Sequence, residues 1–581
     1  MANLSQPTFE TSHTKNVEIP MRDGTILRAN ITRPVAEGQY PALVERTPYN
    51  KEGGSEVGVG SPDYFAQRGY AVIIQDVRGR FASDGDFYPF RDDGAGLNRD
   101  GYDTIEWIAA QPWCDGSVGT IGGSYSGATQ YRNLLSRPPH LRASYVRESS
   151  ADYLREWVYR DGAFELAFNT AWAQNVTLTN IGHLVGADDV ERQRTHQEQV
   201  KAEIEDWYGR LPIYPCPFMT GLSDWFNDWL EQPEDGPYWS QFNIDPYHDQ
   251  VVTPVYHLGG WFDIFLAGTL KNYAGIRRRG RTAEARQSQK LIVGPWIHGP
   301  GNIDAQVVGE HDFGPDARRD FNGIRLPWFD HWLKGTDTGV MENAPVHLFV
   351  MGRNAWRTAD DWPLPDTQYT NYYFHDGASG SIESINDGTL SPAPPKTSEN
   401  PDSFVYDPSD PVPGIGGNTL NIPGGVFDQR PSDVRCLTYT SEPLAEELEV
   451  TGPVRAILHG LSSAPDTDWV VRLIDVHPDG YARNVCDGIL RARYRNSFAH
   501  PERLDPGKVY RYEIDLWGTS NAFQPGHRIR VTVTSSCFPR FDRNLNTGGP
   551  IHREASGQVA INTVFHDNLR PSHIVLPVIP G

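Results

Sequence analysis

One stretch, residues 117–131, constrains the fold more than any other. The strand-like run 117–121 passes directly into Gly-Gly-Ser-Tyr-Ser-Gly (122–127), and helix-like sequence follows. A serine among small residues at a strand-to-helix junction is typical of a nucleophile elbow, where strand and helix crowd together and the backbone is strained. The strict G-x-S-x-G pattern is not met, because Ser126 stands where the second glycine would be. Ser124 is therefore either a nucleophile or part of a plain tight turn.

The first 145 residues alternate between strand and helix signals. Residues 41–44 and 71–74 are short, continuously apolar runs, which are typical of strands buried on both faces of a parallel sheet. Apolar residues in 102–110 recur at helical spacing, and 17–31 reads as a hairpin. This alternation predicts an α/β domain.

The chain beyond residue 145 predicts two further units. Residues 146–244 are rich in tryptophan and charge and predict an inserted helical segment, with one helix over 190–207. Strand signals return at 254–258 and 291–293, so we assign 1–145 and 245–345 to the α/β domain. Residues 346–581 read as an antiparallel β-sandwich interrupted by an irregular connection at 377–418. Its predicted strands are 346–351, 454–459, 469–476, 509–516 and 527–536.

Charge and hydropathy exclude several classes of partner. The formal net charge of the 581 residues is −22, which opposes binding to nucleic acid and to anionic membrane surfaces. No run of about 18 apolar residues occurs, so no membrane-spanning segment is predicted. The first residues lack the apolar core of a secretory signal, and we expect a cytoplasmic protein. A small-molecule substrate fits this composition better than a polyanion.

Cysteine and histidine spacing predicts neither a metal nor a cofactor. The cysteines are odd in number, widely scattered and without a C-x-x-C pair, so a disulfide framework or a thiolate zinc site is not expected. No H-E-x-x-H sequence occurs. An acidic loop at 84–96 lacks the glutamate that an EF-hand needs at its twelfth position.

Two later motifs supply the partners that a nucleophilic serine requires. A serine needs a histidine base, and the base needs a carboxylate to orient it. Asp263 follows one strand-like run in GGWFDIF, and His298 follows the next in IVGPWIHGP. The chain order Ser, Asp, His is that of α/β-hydrolases. Loops at the carboxyl ends of parallel strands meet at one sheet edge, so we predict that Asp263 and His298 lie beside Ser124.

These motifs carry a family resemblance. Residues 122–127, 260–263 and 294–298, together with 75–87 and 541–551, resemble the bacterial cocaine esterase and X-prolyl dipeptidyl-peptidase family of serine hydrolases, and most closely its cocaine esterase branch. The resemblance covers nearly the whole chain and is weakest in the helical insert. It implies an α/β-hydrolase with an inserted helical cap and a C-terminal all-β jelly-roll domain, and it implies a homodimer.

The resemblance also implies an oxyanion hole and an acyl pocket. The donors would be the Tyr49 hydroxyl and the backbone N–H of Tyr125. The pocket would be formed by Trp157, Trp172 and Phe265, whose flat walls suit a benzoyl group. We therefore expect an esterase for small esters with aromatic acyl groups.

Four alternatives remain open at this point. An X-prolyl dipeptidyl peptidase must bind a free amine, and an α-amino ester hydrolase binds an ammonium partly through carboxylates placed just after the triad aspartate; residues 264–267 contain none. An amide or β-lactam acylase would use the same machinery. A non-catalytic binding protein with a jelly-roll module would retain the fold without the activity.

Overall fold

The computed structural model describes residues 4–53, 62–94, 96–182, 191, 194–195, 198–199, 202, 206–299 and 302–580. Its first half is built on one ten-stranded sheet in the order β1-β2-β4-β3-β5-β6-β9-β10-β13-β14. The strands of this half are β1 (Thr11–Pro20), β2 (Ile26–Pro34), β3 (Tyr40–Thr47), β4 (Ala71–Asp76), β5 (Cys114–Gly123), β6 (Leu141–Arg147), β7 (Tyr159–Arg160), β8 (Ala163–Phe164), β9 (Val255–Phe262), β10 (Gln289–Ile297), β11 (Val307–Val308), β12 (His311–Asp312), β13 (Val346–Val350) and β14 (Ala355–Ala359).

Helices cover both faces of this sheet and fill the insertion between β6 and β9. The described helices are α1 (Pro62–Ala66), α2 (Asp100–Ala109), α3 (Tyr125–Ser136), α4 (Leu166–Thr179), α5 (Asp224–Glu231), α6 (Pro237–Ser240), α7 (Leu266–Arg279), α8 (Ala283–Gln287), α9 (Phe321–Lys334) and α10 (Arg430–Asp433). A π-helical turn (Leu154–Val158) and the β7–β8 hairpin also belong to the insertion. None of the helices within the described ranges is both long and apolar enough to cross a membrane.

The central strands of the sheet are parallel, from β4 through β3, β5, β6, β9 and β10 to β13. Strands β3, β4 and β9 are buried along their whole length, which explains their continuous apolar runs. Since all these strands point the same way, the loops after β5, β6, β9 and β10 lie side by side at one edge.

The second half is all-β. Its strands are β15 (Gln368–His375), β16 (Gly388–Ser391), β17 (Asp402–Tyr406), β18 (Leu437–Thr440), β19 (Leu448–Ser462), β20 (Asp468–Val476), β21 (Ala482–Arg491), β22 (Tyr510–Phe523), β23 (Arg528–Thr534), β24 (Ala560–Phe565) and β25 (His573–Val578). The long strand β19 pairs with β22, β24 and β25, and nearly all pairings are antiparallel. The all-β prediction is confirmed, and the jelly-roll assignment stays a prediction.

Three details differ from the sequence prediction or fall outside it. The strand predicted at 346–351 belongs to the first sheet, where β13 extends the parallel order beside β10; a local apolar pattern cannot reveal which sheet a strand joins. The segment 377–418, predicted as irregular, contains the short strands β16 and β17. The helix predicted over 190–207 lies largely outside the described residues, and the domain boundaries stay a prediction.

Candidate active site

Ser124 lies on a strained turn between β5 and α3. Its backbone has φ +56° and ψ −124°, a conformation that costs a non-glycine residue about 1–3 kcal/mol and is typical of functional turns. Its N–H donates to the carbonyls of Arg147 and Glu148 at the end of β6. A Cβ on Gly127 would lie 2.8 Å from the Cβ of Ser149, so the close approach that requires glycine falls one residue later than in the strict motif. Ser126, at the position of the second glycine of the strict motif, is accommodated because its hydroxyl donates a hydrogen bond to Glu45 at 3.0 Å.

The register of β9 and β10 brings Asp263 and His298 together. The last paired residues of these parallel strands are Phe262 and Ile297, and the two side chains follow immediately. His298 Nε2 lies 3.0 Å from Ser124 Oγ, and His298 Nδ1 lies 2.6 Å from Asp263 Oδ2. The three predicted residues thus form one continuous relay of hydrogen bonds.

Asp263 is fully buried and held from two directions. Its Oδ1 accepts a hydrogen bond of 2.6 Å from the backbone N–H of Phe265 at the start of α7. Asn418, from the second half of the chain, donates at 2.9 Å to the carbonyls of both Trp261 and Asp263. The all-β half therefore helps to fix the loop that carries this carboxylate.

The environment of His298 favours the predicted role of this residue as a base. Burial alone would lower the pKa of His298, but the charge and hydrogen bond of Asp263 outweigh burial and raise it above its ordinary value. The same interactions hold the ring with Nε2 directed at Ser124. A histidine placed in this way can accept the serine proton and keep the resulting positive charge beside a carboxylate.

Glu148 is a second buried carboxylate that the sequence analysis missed. It follows β6, between the loops of Ser124 and Asp263, and its backbone has φ +48°. Its Oε2 is paired with Arg147, accepts the Gly299 N–H at 3.0 Å and lies 3.6 Å from His298 Nδ1. Burial raises the pKa of Glu148 to about 7 despite the neighbouring Arg147. Glu148, Asp263 and His298 could together surround a cation, but these contacts already engage Glu148 Oε2 and Asp263 Oδ2.

Replacing Glu148 with glutamine is expected to shift the acidic limb of the kcat/KM–pH profile to lower pH. The charge of Glu148 raises the pKa of His298, so its removal lowers that pKa, and the unprotonated base persists into more acidic solution. The measurement is kcat/KM between about pH 5 and 9. Glu165→Gln is the matched control, because burial raises the pKa of this distant carboxyl also to about 7. An unmoved profile in Glu148→Gln would mean that Arg147 already neutralises the carboxylate.

The predicted oxyanion donors lie at the same edge. Tyr125 is the first residue of α3, so its backbone N–H has no acceptor within the helix. The Tyr125 hydroxyl points away and donates to Asp93 at 2.9 Å. The Tyr49 hydroxyl accepts a hydrogen bond of 3.0 Å from the indole N–H of Trp172. This bond fixes the Tyr49 oxygen beside the indole of the insertion.

The three predicted pocket residues belong to one aromatic cluster. The rings of Trp157 and Phe265 stack with centroids 4.2 Å apart, and Trp157 meets Trp172 edge-on at 5.8 Å. Phe265 also packs edge-on against the His298 ring at 5.2 Å. Trp157 and Phe265 are fully buried, whereas Trp172 keeps a small exposed surface. Ring contacts therefore connect His298 to Trp172, and the indole hydrogen bond of Trp172 extends this connection to Tyr49.

Comparison with known proteins extends over the whole chain. The family profile of X-Pro dipeptidyl-peptidase (S15 family) matches residues 23–300, and that of the X-Pro dipeptidyl-peptidase C-terminal non-catalytic domain matches residues 338–575. The chain is 39% identical over 585 residues to the cocaine esterase of Rhodococcus sp. (strain MB1 Bresler), an alignment that covers 97% of this chain and 98% of that relative.

Two solved structures share the fold over their full length. An aminopeptidase from the marine sediment archaeon Thaumarchaeota archaeon superposes with a TM-score of 0.83 and 28% identity, covering 98% of this chain and 97% of that one. An α-amino acid ester hydrolase gives a TM-score of 0.81 and 27% identity, covering 100% and 98%. The predicted combination of an α/β-hydrolase sheet and a C-terminal all-β domain is confirmed.

Proposed function

We propose that this chain, which belongs to the S15 family of serine hydrolases, hydrolyses small carboxylic esters through an acyl-enzyme on Ser124. The proposed substrates are mainly esters with aromatic acyl groups. The observation that carries the proposal is the hydrogen-bond relay of Ser124, His298 and Asp263. Ser124 Oγ lies 3.0 Å from His298 Nε2, and His298 Nδ1 lies 2.6 Å from Asp263 Oδ2. A serine at a strained elbow with this relay behind it has the geometry that acyl transfer requires.

Each residue of the relay has a defined role in the proposed reaction. His298 Nε2 takes the proton of Ser124 Oγ as the oxygen attacks the acyl carbon, and Asp263 stabilises the imidazolium. The Tyr49 hydroxyl and the Tyr125 N–H donate to the oxyanion. When the tetrahedral intermediate collapses, the bond to the alcohol breaks and His298 returns the proton to the leaving oxygen. Water, deprotonated by His298, then releases the acid and regenerates Ser124.

The charges around the site support an uncharged acyl group. Asp263 is hydrogen-bonded to His298, and Glu148 is paired with Arg147. Residues 264–267 contain no further carboxylate. Glu156, beside Trp157, is neutralised by Lys271. A substrate ammonium would thus find its counter-charges already engaged, which favours an ester without a free amine over a peptide N-terminus.

Phe265→Leu is expected to reduce the preference for phenyl benzoate over phenyl acetate, measured as the ratio of kcat/KM, by about 2–10-fold. One aromatic contact is worth about 0.5–1.5 kcal/mol beyond area burial, and leucine cannot provide it. Both esters share one leaving group, so the ratio removes any effect on His298. Phe168→Leu is the control, because this ring contacts both Trp157 and Phe265 but is not one of the predicted pocket residues. An equal loss of kcat/KM for both esters in Phe265→Leu would contradict the predicted aromatic acyl pocket.

A fluorophosphonate probe tests the proposed nucleophile. Phosphonylation of the wild-type protein should add one label, and peptide mapping should place it on Ser124. The His298→Ala variant should label far more slowly, because the base is gone. Labelling at another serine, or equal labelling of Ser124→Ala, would contradict the proposal.

A further inference from the structure

A cluster of histidine and aspartate side chains lies in the all-β half, remote from Ser124 in the sequence. Asp475 is near the end of β20, His477 begins the turn that leads to β21, and His527 precedes β23. Strands β20 and β23 are antiparallel, with Val476 opposite Arg528, so the next pair along the ladder is His477 and His527. Their rings face each other with centroids 4.4 Å apart.

The ligand atoms of these three residues all lie within 4.8 Å of one another. A cation placed between atoms at that spacing would be at most about 2.8 Å from each, so movements of about 0.6–0.8 Å would produce the ~2.0–2.2 Å bonds of zinc. The hydrogen bond of 2.8 Å between His527 Nδ1 and Asp475 Oδ1 already shows that the carboxylate and one imidazole converge.

His477 offers a nitrogen without another use. Within the described ranges, its Nε2 is buried and has no hydrogen-bond partner, a costly state for a polar atom unless something binds it. An unpartnered imidazole nitrogen in this position can serve as a metal ligand.

The surroundings resemble the outer shell of a metal site. Arg483 donates at 2.8 Å to Oδ2 of Asp475, which fixes the carboxylate with Oδ1 directed at His527, and a cation between them would replace that hydrogen bond. The β11–β12 hairpin, which carries His311, reaches the strand region of Arg483, because the backbone N–H of Glu310 donates to Val426 at 2.8 Å and Asp428 pairs with Arg483.

The geometry points to a zinc site formed by Asp475, His477 and His527, for which we assign His311 as the fourth ligand. Imidazole and carboxylate ligands suit Zn²⁺, and four ligands complete the tetrahedral shell of a structural site. The ion would link the β20–β21 turn to the start of β23 and, through His311, tie the all-β half to the α/β half. This site is independent of the esterase proposal, because its residues take no part in the relay.

The test is Zn²⁺ titration of the full-length protein after chelator treatment, read by competition with a chromophoric zinc indicator. Wild type should bind one equivalent, and His477→Ala or His527→Ala should weaken that binding at least tenfold. His500→Ala, which removes an exposed histidine elsewhere, should bind as wild type. His298→Ala should also retain the ion, which separates this site from the cluster beside Ser124.

Two further readouts follow coordination and stability. Co²⁺ in the same site should give the intense visible absorption of a tetrahedral ion, absent in His477→Ala. Zn²⁺ should raise the melting temperature of wild type and leave that of His477→Ala unchanged. Absence of saturable binding by wild type, or equal binding by wild type and His477→Ala, would overturn the proposal and leave His527 and Asp475 as a plain hydrogen-bonded pair.

Discussion

Replacing Ser124 with alanine is expected to lower kcat for phenyl acetate by about 10⁴-fold or more, with KM little changed. The variant loses the atom that forms the acyl-enzyme, whereas the pocket and the oxyanion donors remain. In serine hydrolases the members of the relay act as a unit, so loss of the nucleophile removes nearly all of their shared contribution. Steady-state rates and the disappearance of a pre-steady-state burst are the measurements.

Ser126→Ala is the matched control for this prediction. Ser126 is also buried and lies two residues away, but its hydroxyl bonds to Glu45 and not to His298. It should keep kcat within about tenfold of wild type, because one buried hydrogen bond is worth about 1 kcal/mol. If both variants lose activity equally, the elbow is needed only as structure, and another group is the nucleophile.

Replacing Tyr49 with phenylalanine is expected to lower kcat by about 10²–10³-fold, again with KM nearly unchanged. The hydroxyl donates to charge that develops only in the transition state, so its loss affects turnover more than binding. Tyr88→Phe is the control, because that hydroxyl bonds to Asp228 and Tyr238 within the insertion. A Tyr49→Phe enzyme with a raised KM and an unchanged kcat would contradict the oxyanion role.

Trp172→Phe tests how the Tyr49 hydroxyl is positioned, separately from its hydrogen bond to the oxyanion. Phenylalanine retains an aromatic wall but cannot donate to Tyr49, so the hydroxyl loses the bond that directs it. The expected decrease in kcat is about 2–10-fold, the worth of one neutral hydrogen bond. When Trp172→Phe is added to Tyr49→Phe, kcat should decrease little further, because the hydroxyl that accepts the indole hydrogen bond is already absent.

Much of the site could be predicted because it follows from chain direction. Ser124, Asp263 and His298 each follow a strand of the parallel sheet, and carboxyl ends of parallel strands meet at one edge regardless of side-chain detail. Glu148 obeys the same rule after β6. It was missed because the predicted boundary at 145 cut this strand short and assigned its last residues to the insertion.

Other features depend on contacts that no local pattern encodes. The indole bond from Trp172 to Tyr49 joins the insertion to an early loop, and Asn418 reaches the Asp263 loop from the far half of the chain. His477 and His527 meet only through the pairing of β20 with β23. Strand β13 shows the same limit, because its apolar pattern would suit either sheet.

The most direct test of the central claim is the rate of hydrolysis of phenyl benzoate beside that of an X-Pro anilide, with Ser124→Ala as the blank for both. We predict rapid turnover of the benzoate, loss of that turnover in the variant, and little cleavage of the anilide. Cleavage of the anilide without turnover of the benzoate would contradict the aromatic-acyl esterase and place the chain among the peptidases of its family.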